Sequence, residues 1–154
     1  MIKRIIVPAT KFIKKKFLML SVFLIPYKGY AQVDTIIQRL FLLGDAGELK
    51  NDRQPVLDWI SKNIDWNDEK NVALFLGDNI YPDGLPDEGD AEYAYTKKVI
   101  DYQLNIFKGK KAKAFFVPGN HDWKGGKIGG WERIINQVNY INSLQAPNIQ
   151  SWPL

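Results

Sequence analysis

Three short runs of consecutive apolar residues organise the chain: Leu40-Phe41-Leu42-Leu43, Val72-Ala73-Leu74-Phe75-Leu76 and Ala114-Phe115-Phe116-Val117. None of them alternates with polar residues, so each predicts a strand buried on both faces. Each run stops at a glycine-containing turn, at Gly44, at Gly77 and at Pro118-Gly119. The intervening stretches carry apolar residues at three- and four-residue steps, which predicts helices. Val56, Trp59, Ile60 and Ile64 make the first stripe, behind a Pro55 suited to a first helical turn. Tyr95, Val99, Tyr102 and Ile106 make the second, and Ile134, Ile135, Val138 and Ile141 the third. Strand-helix units repeated three times predict an α/β domain with a mostly parallel sheet.

With 154 residues, the chain has room for one domain with a real core. Its basic balance raises the question of a nucleic-acid partner, and the position of the charge answers it. Residues 1–31 hold seven of the 21 Lys and Arg and no Asp or Glu. The rest carries 14 basic against 17 acidic residues, a formal charge of −3. A nucleic-acid binder concentrates positive charge on its folded part, so no such partner is expected. Residues 1–31 instead have the three parts of a secretory signal. A cationic stretch ending in Lys14-Lys15-Lys16 precedes the apolar run Phe17 to Ile25, and small residues follow in Gly29-Tyr30-Ala31. That run is too short to span a bilayer, which takes about 20 residues. Export to a periplasm, an outer membrane surface or the medium is the expectation, with residues 32–154 as the folded part. There is no cysteine, so disulfides and thiol-linked lipid attachment are excluded.

Candidate chemistry lies at the strand ends, where open α/β sheets gather functional groups. Gly44-Asp45-Ala46-Gly47 follows the first run, Gly77-Asp78-Asn79-Ile80-Tyr81 the second, and Gly119-Asn120-His121-Asp122 the third. In parallel strands, Asp45, Asp78 and Asn120 open onto one edge. Two carboxylates and an amide oxygen there suit hard or borderline cations, and one of the carboxylates is able to bridge two ions. An uncoordinated histidine nearby can act on a substrate as an acid or charge stabiliser.

At these residues the chain resembles the calcineurin-like metallophosphoesterase superfamily, whose linear pattern is an Asp motif, a Gly-Asp motif and Gly-Asn-His-Asp/Glu. Its first motif commonly reads Asp-x-His, whereas this chain has Asp45-Ala46-Gly47. Together with the tyrosine closing Gly77-Asp78-Asn79-Ile80-Tyr81, that departure is similar to the purple acid phosphatase branch. The resemblance implies a phosphoric ester hydrolase with two metal ions, iron(III) paired with divalent iron, zinc or manganese. Asp45, Asp78 and Tyr81 would hold the first ion, Asp78 would bridge, and Asn120 would bind the second. His121 would stabilise the transition state or protonate the leaving group, with Asp122 orienting it. The family pattern also includes three further histidine ligands, in Val-x-x-His and Gly-His-x-His motifs, and this sequence has one histidine in all. The chain is therefore expected to be the amino-terminal half of a metallophosphoesterase sandwich of two sheets between helices. Its second metal site would be incomplete and its own activity small. The alternative is an exported binding or interaction module that keeps the half-fold without catalysis.

Other features favour plainer readings. Trp123 suits packing at least as well as a substrate pocket. The Gly125–Gly130 stretch has four glycines in six residues but lacks a Walker ending, so it reads as a flexible loop. Asp83, Asp87, Glu88 and Asp90 do not follow EF-hand spacing and read as a solvated loop. Lys108, Lys110, Lys111 and Lys113 read as the solvated end of a helix.

Overall fold

A computed structural model describes residues 35–152 of the protein; residues 1–31, read above as a secretory signal, with the apolar run Phe17 to Ile25, lie outside them. The elements follow in the order β1 (Arg39–Leu43), α1 (Pro55–Asn63), β2 (Asn71–Phe75), α2 (Tyr93–Leu104), β3 (Lys113–Phe116), α3 (Gly130–Ser143) and β4 (Ile149–Ser151). A single 3-10 turn, Lys124–Gly126, precedes α3. The four strands are all parallel and lie in sequence order, β1-β2-β3-β4.

The three expected strands fall within a residue of their apolar runs. The fourth was not expected. β4 has one apolar residue in Ile149-Gln150-Ser151, too little pattern to register as a strand. It exists because β3 offers a free edge. Ala114 N donates to Asn148 O at 2.8 Å, and Trp152 N donates to Phe116 O at 2.8 Å.

Strands that advance steadily in one direction through right-handed crossovers place every connecting helix on the same face. The burial pattern follows that rule. Phe41, Leu43, Ala73, Phe75, Ala114, Phe116 and Ile149 point to one face and join one core with Leu57, Ile60, Ile100, Leu104 and Ile141 from the three helices. Aromatic rings run through it, from Phe41 to Trp66 (5.2 Å between centroids), Phe107 (4.7 Å), Phe75 (6.0 Å) and Phe116 (4.3 Å, stacked). The other face carries Leu40, Leu42, Leu74 and Phe115 in register, and Leu40 and Leu42 are each 58 % exposed. The expectation of strands buried on both faces is thus corrected for β1, whereas on β2 Val72 is buried on this second face as well. Continuous apolar runs report an apolar environment on both sides without saying which element supplies it.

Pro55 does open α1, with Gln54 as N-cap accepting from Val56 N at 2.7 Å and Leu57 N at 3.0 Å. The stripe read for this helix is partly displaced, however. Leu57 and Ile60 face the core, while Val56 and Trp59 are exposed. In α2 the buried stripe is Thr96, Val99, Ile100, Gln103 and Leu104, so Tyr95 falls outside it. In α3, Ile134, Val138 and Ile141 are buried as expected, joined by Gln137. Among the described residues, no helix is long and apolar enough to cross a membrane.

Candidate metal centre

Parallel pairing brings the carboxyl ends of β1, β2 and β3 to one edge, and hydrogen bonds tie the loops there. Leu76 N donates to Leu43 O at 2.7 Å, Asp45 N to Gly77 O at 3.2 Å, and Val117 N to Phe75 O at 2.9 Å. These bonds set Asp45 and Asp78 side by side. Both residues have positive φ, 55° and 53°. Outside glycine that conformation costs roughly 1 kcal/mol or more and persists only where the surroundings impose it, often at functional sites.

Tyr81 joins the two acids. Its hydroxyl lies 2.8 Å from Asp45 Oδ1 and 3.1 Å from Asp78 Oδ2. Burial, reinforced by the two neighbouring carboxylates, pushes its phenol well above the ordinary tyrosine range. The hydroxyl proton is thus what holds these oxygens together. A cation among them supplies the missing positive charge more strongly than one shared proton, and the all-oxygen donor set fits a hard or borderline ion. Among the described residues, no group of three or more His, Cys, Asp and Glu is placed to hold an ion, and here the third donor is a phenol. Asp78 Oδ1 faces the neighbouring loop and accepts from His121 N at 3.1 Å, while Asn120 lies exposed at the same edge.

His121 sits against Tyr81, with ring centroids 4.4 Å apart. Its Nδ1 lies 2.7 Å from the Pro82 carbonyl oxygen. A carbonyl can only accept, so Nδ1 carries the proton and Nε2 is left available. The expected orienting partner, Asp122, is engaged elsewhere. Its fully buried carboxylate accepts from Gly119 N at 2.7 Å, Asn79 N at 3.1 Å, Ile80 N at 3.0 Å and Asn79 Nδ2 at 3.2 Å. Burial pushes Asp122 up to about 6, and the backbone amides pull against that shift. Asp122 therefore staples the β2 and β3 loops together, and the Pro82 carbonyl fixes the His121 ring. A backbone carbonyl has no sequence signature, so nothing in the chain could have pointed to Pro82.

The departure at Gly47 has a steric explanation. A Cβ on Gly47 would lie 2.5 Å from Asp78 O and 2.7 Å from Ile80 N, and Tyr81 N donates to Gly47 O at 3.0 Å. No side chain fits there, histidine included. Gly119 is likewise pressed against Asp78 Oδ1. The plainer readings of the neighbouring features agree with their surroundings. Trp123 packs on Trp131, 5.5 Å between centroids, and Asp87, Glu88 and Asp90 are exposed. A cavity of about 340 Å³ lined by Leu85, Asp87, Tyr93, Asn136 and Tyr140 includes none of the motif residues. The site itself is an open sheet edge.

The calcineurin-like phosphoesterase family matches residues 38–151, which takes in all four strands and all three motifs. The chain belongs to that family. No curated protein and no solved structure matches it. Hydrolysis of phosphate esters is the general activity of calcineurin-like phosphoesterases, and a dinuclear metal centre is their usual equipment. The parallel α/β layer is consistent with part of that fold.

Proposed function

We propose that the protein serves phosphoric ester hydrolysis at a dinuclear centre of the purple acid phosphatase type. The observation that carries this reading is the Tyr81 hydroxyl shared between Asp45 and Asp78 at the meeting point of the motif loops. Asp45, Asp78 and Tyr81 would hold the first ion, iron(III), whose positive charge would take the place of the phenolic proton. Asp78 would be shared between the two ions, and Asn120 would serve the second, divalent one (iron, zinc or manganese). Bound there, the pair of ions supplies charge neutralisation for the phosphate and a nucleophile at neutral pH. His121, with Nδ1–H tied to the Pro82 carbonyl, presents Nε2 to the substrate, and in its doubly protonated form it passes the Nε2 proton to the leaving oxygen. Asp122 contributes by fixing the loops that carry Asn120 and His121. Among the described residues, Asp78 and Asn120 are the ligands we assign to the second ion, so turnover is expected to be low. The leader supports export, for which amino-terminal sequencing of the product from fractionated cells is the check.

The deciding experiment loads the chain with iron(III) and follows the visible phenolate-to-iron absorption. Native protein should show it and Y81F should not. Aryl and alkyl phosphate monoesters and diesters, offered to the same samples, would then report activity. A native chain that takes up no ion, or a Y81F variant with the same absorption, would sink the ligand assignment.

A further inference from the structure

Helix α2 places two polar side chains, Thr96 and Gln103, among its buried positions. Thr96 is accounted for locally, since its hydroxyl donates to the Glu92 and Tyr93 carbonyls of its own chain turn at 3.0 and 3.1 Å. Gln103 reaches further. Its Nε2 donates to Asn79 O at 2.7 Å and lies 3.4 Å from Ala46 O. Ala46 follows Asp45 in the chain, and Asn79 follows Asp78. One fully buried amide thus spans the two loops at the positions next to the two carboxylates.

The orientation of that amide is dictated by its surroundings. Flipped, it would set its own oxygen against two carbonyl oxygens, so the donor end must face the loops. The acceptor end, Oε1, is buried with no partner among the described residues. Burying an unpaired acceptor costs stability, and a methionine or leucine would fill the same helix face without that cost. A residue chosen for packing alone would not be glutamine.

We propose that Gln103 is a positioning residue for the metal ligands, setting the separation of Asp45 and Asp78 through the carbonyls of Ala46 and Asn79. This rests on the ligand assignment proposed above. The left-handed conformation shared by Asp45 and Asp78 is the strained feature it holds in place, because Gln103 grips the residue directly after each. Without that grip the two loops are free to relax, and the carboxylates lose their preset spacing.

The test titrates the full-length chain with manganese(II), reading free ion by electron paramagnetic resonance. Thermal melting of the metal-free protein is measured in parallel. Q103M, which keeps the volume and loses the donor, should melt within a few degrees of native and bind manganese(II) about tenfold more weakly or worse. Native-like affinity in Q103M would overturn the proposal and leave the ligand assignment standing. If the native chain binds no manganese(II), the ligand assignment falls and this proposal falls with it. Should Q103M lose its cooperative melt, the native chain gives the second reading, through nuclear magnetic resonance of the Gln103 side-chain amide. Saturating zinc(II) should slow its hydrogen exchange. An exchange rate unaffected by zinc(II) would overturn the proposal.

Discussion

The two faces of the sheet are built from side chains of similar hydropathy and differ in what they meet. On one, Phe75, Ala73, Ala114 and Phe116 are fully buried under three helices. On the other, Leu40, Leu42 and Leu76 are each more than half exposed and Leu74 and Phe115 are half-buried, with Val72 alone among these buried. Hydrophobicity cannot explain the difference. Chain direction does, because right-handed crossovers between strands laid down in order send every helix to one side. Stability is therefore concentrated on one face. The site sits at the edge where the strands end, with its loops fastened to that face by buried polar groups such as Asp122.

Substitutions can break this comparison at graded cost. The largest loss is expected from Phe75→Ala, which removes the ring linking Phe107 and Phe116 in the aromatic chain. It should cost about 3–5 kcal/mol in urea unfolding, enough to abolish a native baseline in a marginal domain. Asp122→Ala should come next, at about 3 kcal/mol by the same measurement. It strips the acceptor from three backbone amides and the Asn79 side chain in a site water cannot reach. A loss below about 1 kcal/mol would show that the staple between the loops is dispensable.

The exposed face should behave in the opposite way. Leu42→Glu is expected to change unfolding stability by less than about 1 kcal/mol, because the side chain is already more than half in water. The same substitution should reduce self-association in sedimentation velocity, since exposed apolar patches promote it. A loss as large as that of Phe75→Ala would mean that the face is covered. The smallest effect is expected at the exposed pair of Arg39 Nη1 and Asp68 Oδ2, 3.0 Å apart at the entry of β1. Arg39→Ala should cost no more than about 1 kcal/mol, and the cost should shrink as salt is added.

The sequence was informative wherever one segment decides the outcome. Three strands could be read because each is a continuous apolar run ended by glycine. The motifs could be placed because each directly follows a strand, and parallel pairing then leaves them one edge to share. Asp45, Asp78 and Tyr81 do meet there, within hydrogen-bonding distance. β4 could not be read, because Ile149-Gln150-Ser151 becomes a strand only through the free edge of β3.

The hydrogen bonds of Asp122 were out of reach of the sequence for a related reason. Its neighbour in sequence is His121, but its hydrogen-bond partners at Asn79 and Ile80 lie 43 and 42 residues away. Pro82 acts through a backbone carbonyl and Gln103 through a contact 24 residues distant, and neither leaves a local pattern. The order of elements, the motif residues and the sign of charge on each segment were thus determined by the sequence alone, because propensity and glycine turns act over a few residues. Which face was covered, which carboxylate became a staple and which carbonyl aligned the histidine were decided by tertiary structure. Those outcomes depend on groups far apart in the chain, brought together only when the crossovers close.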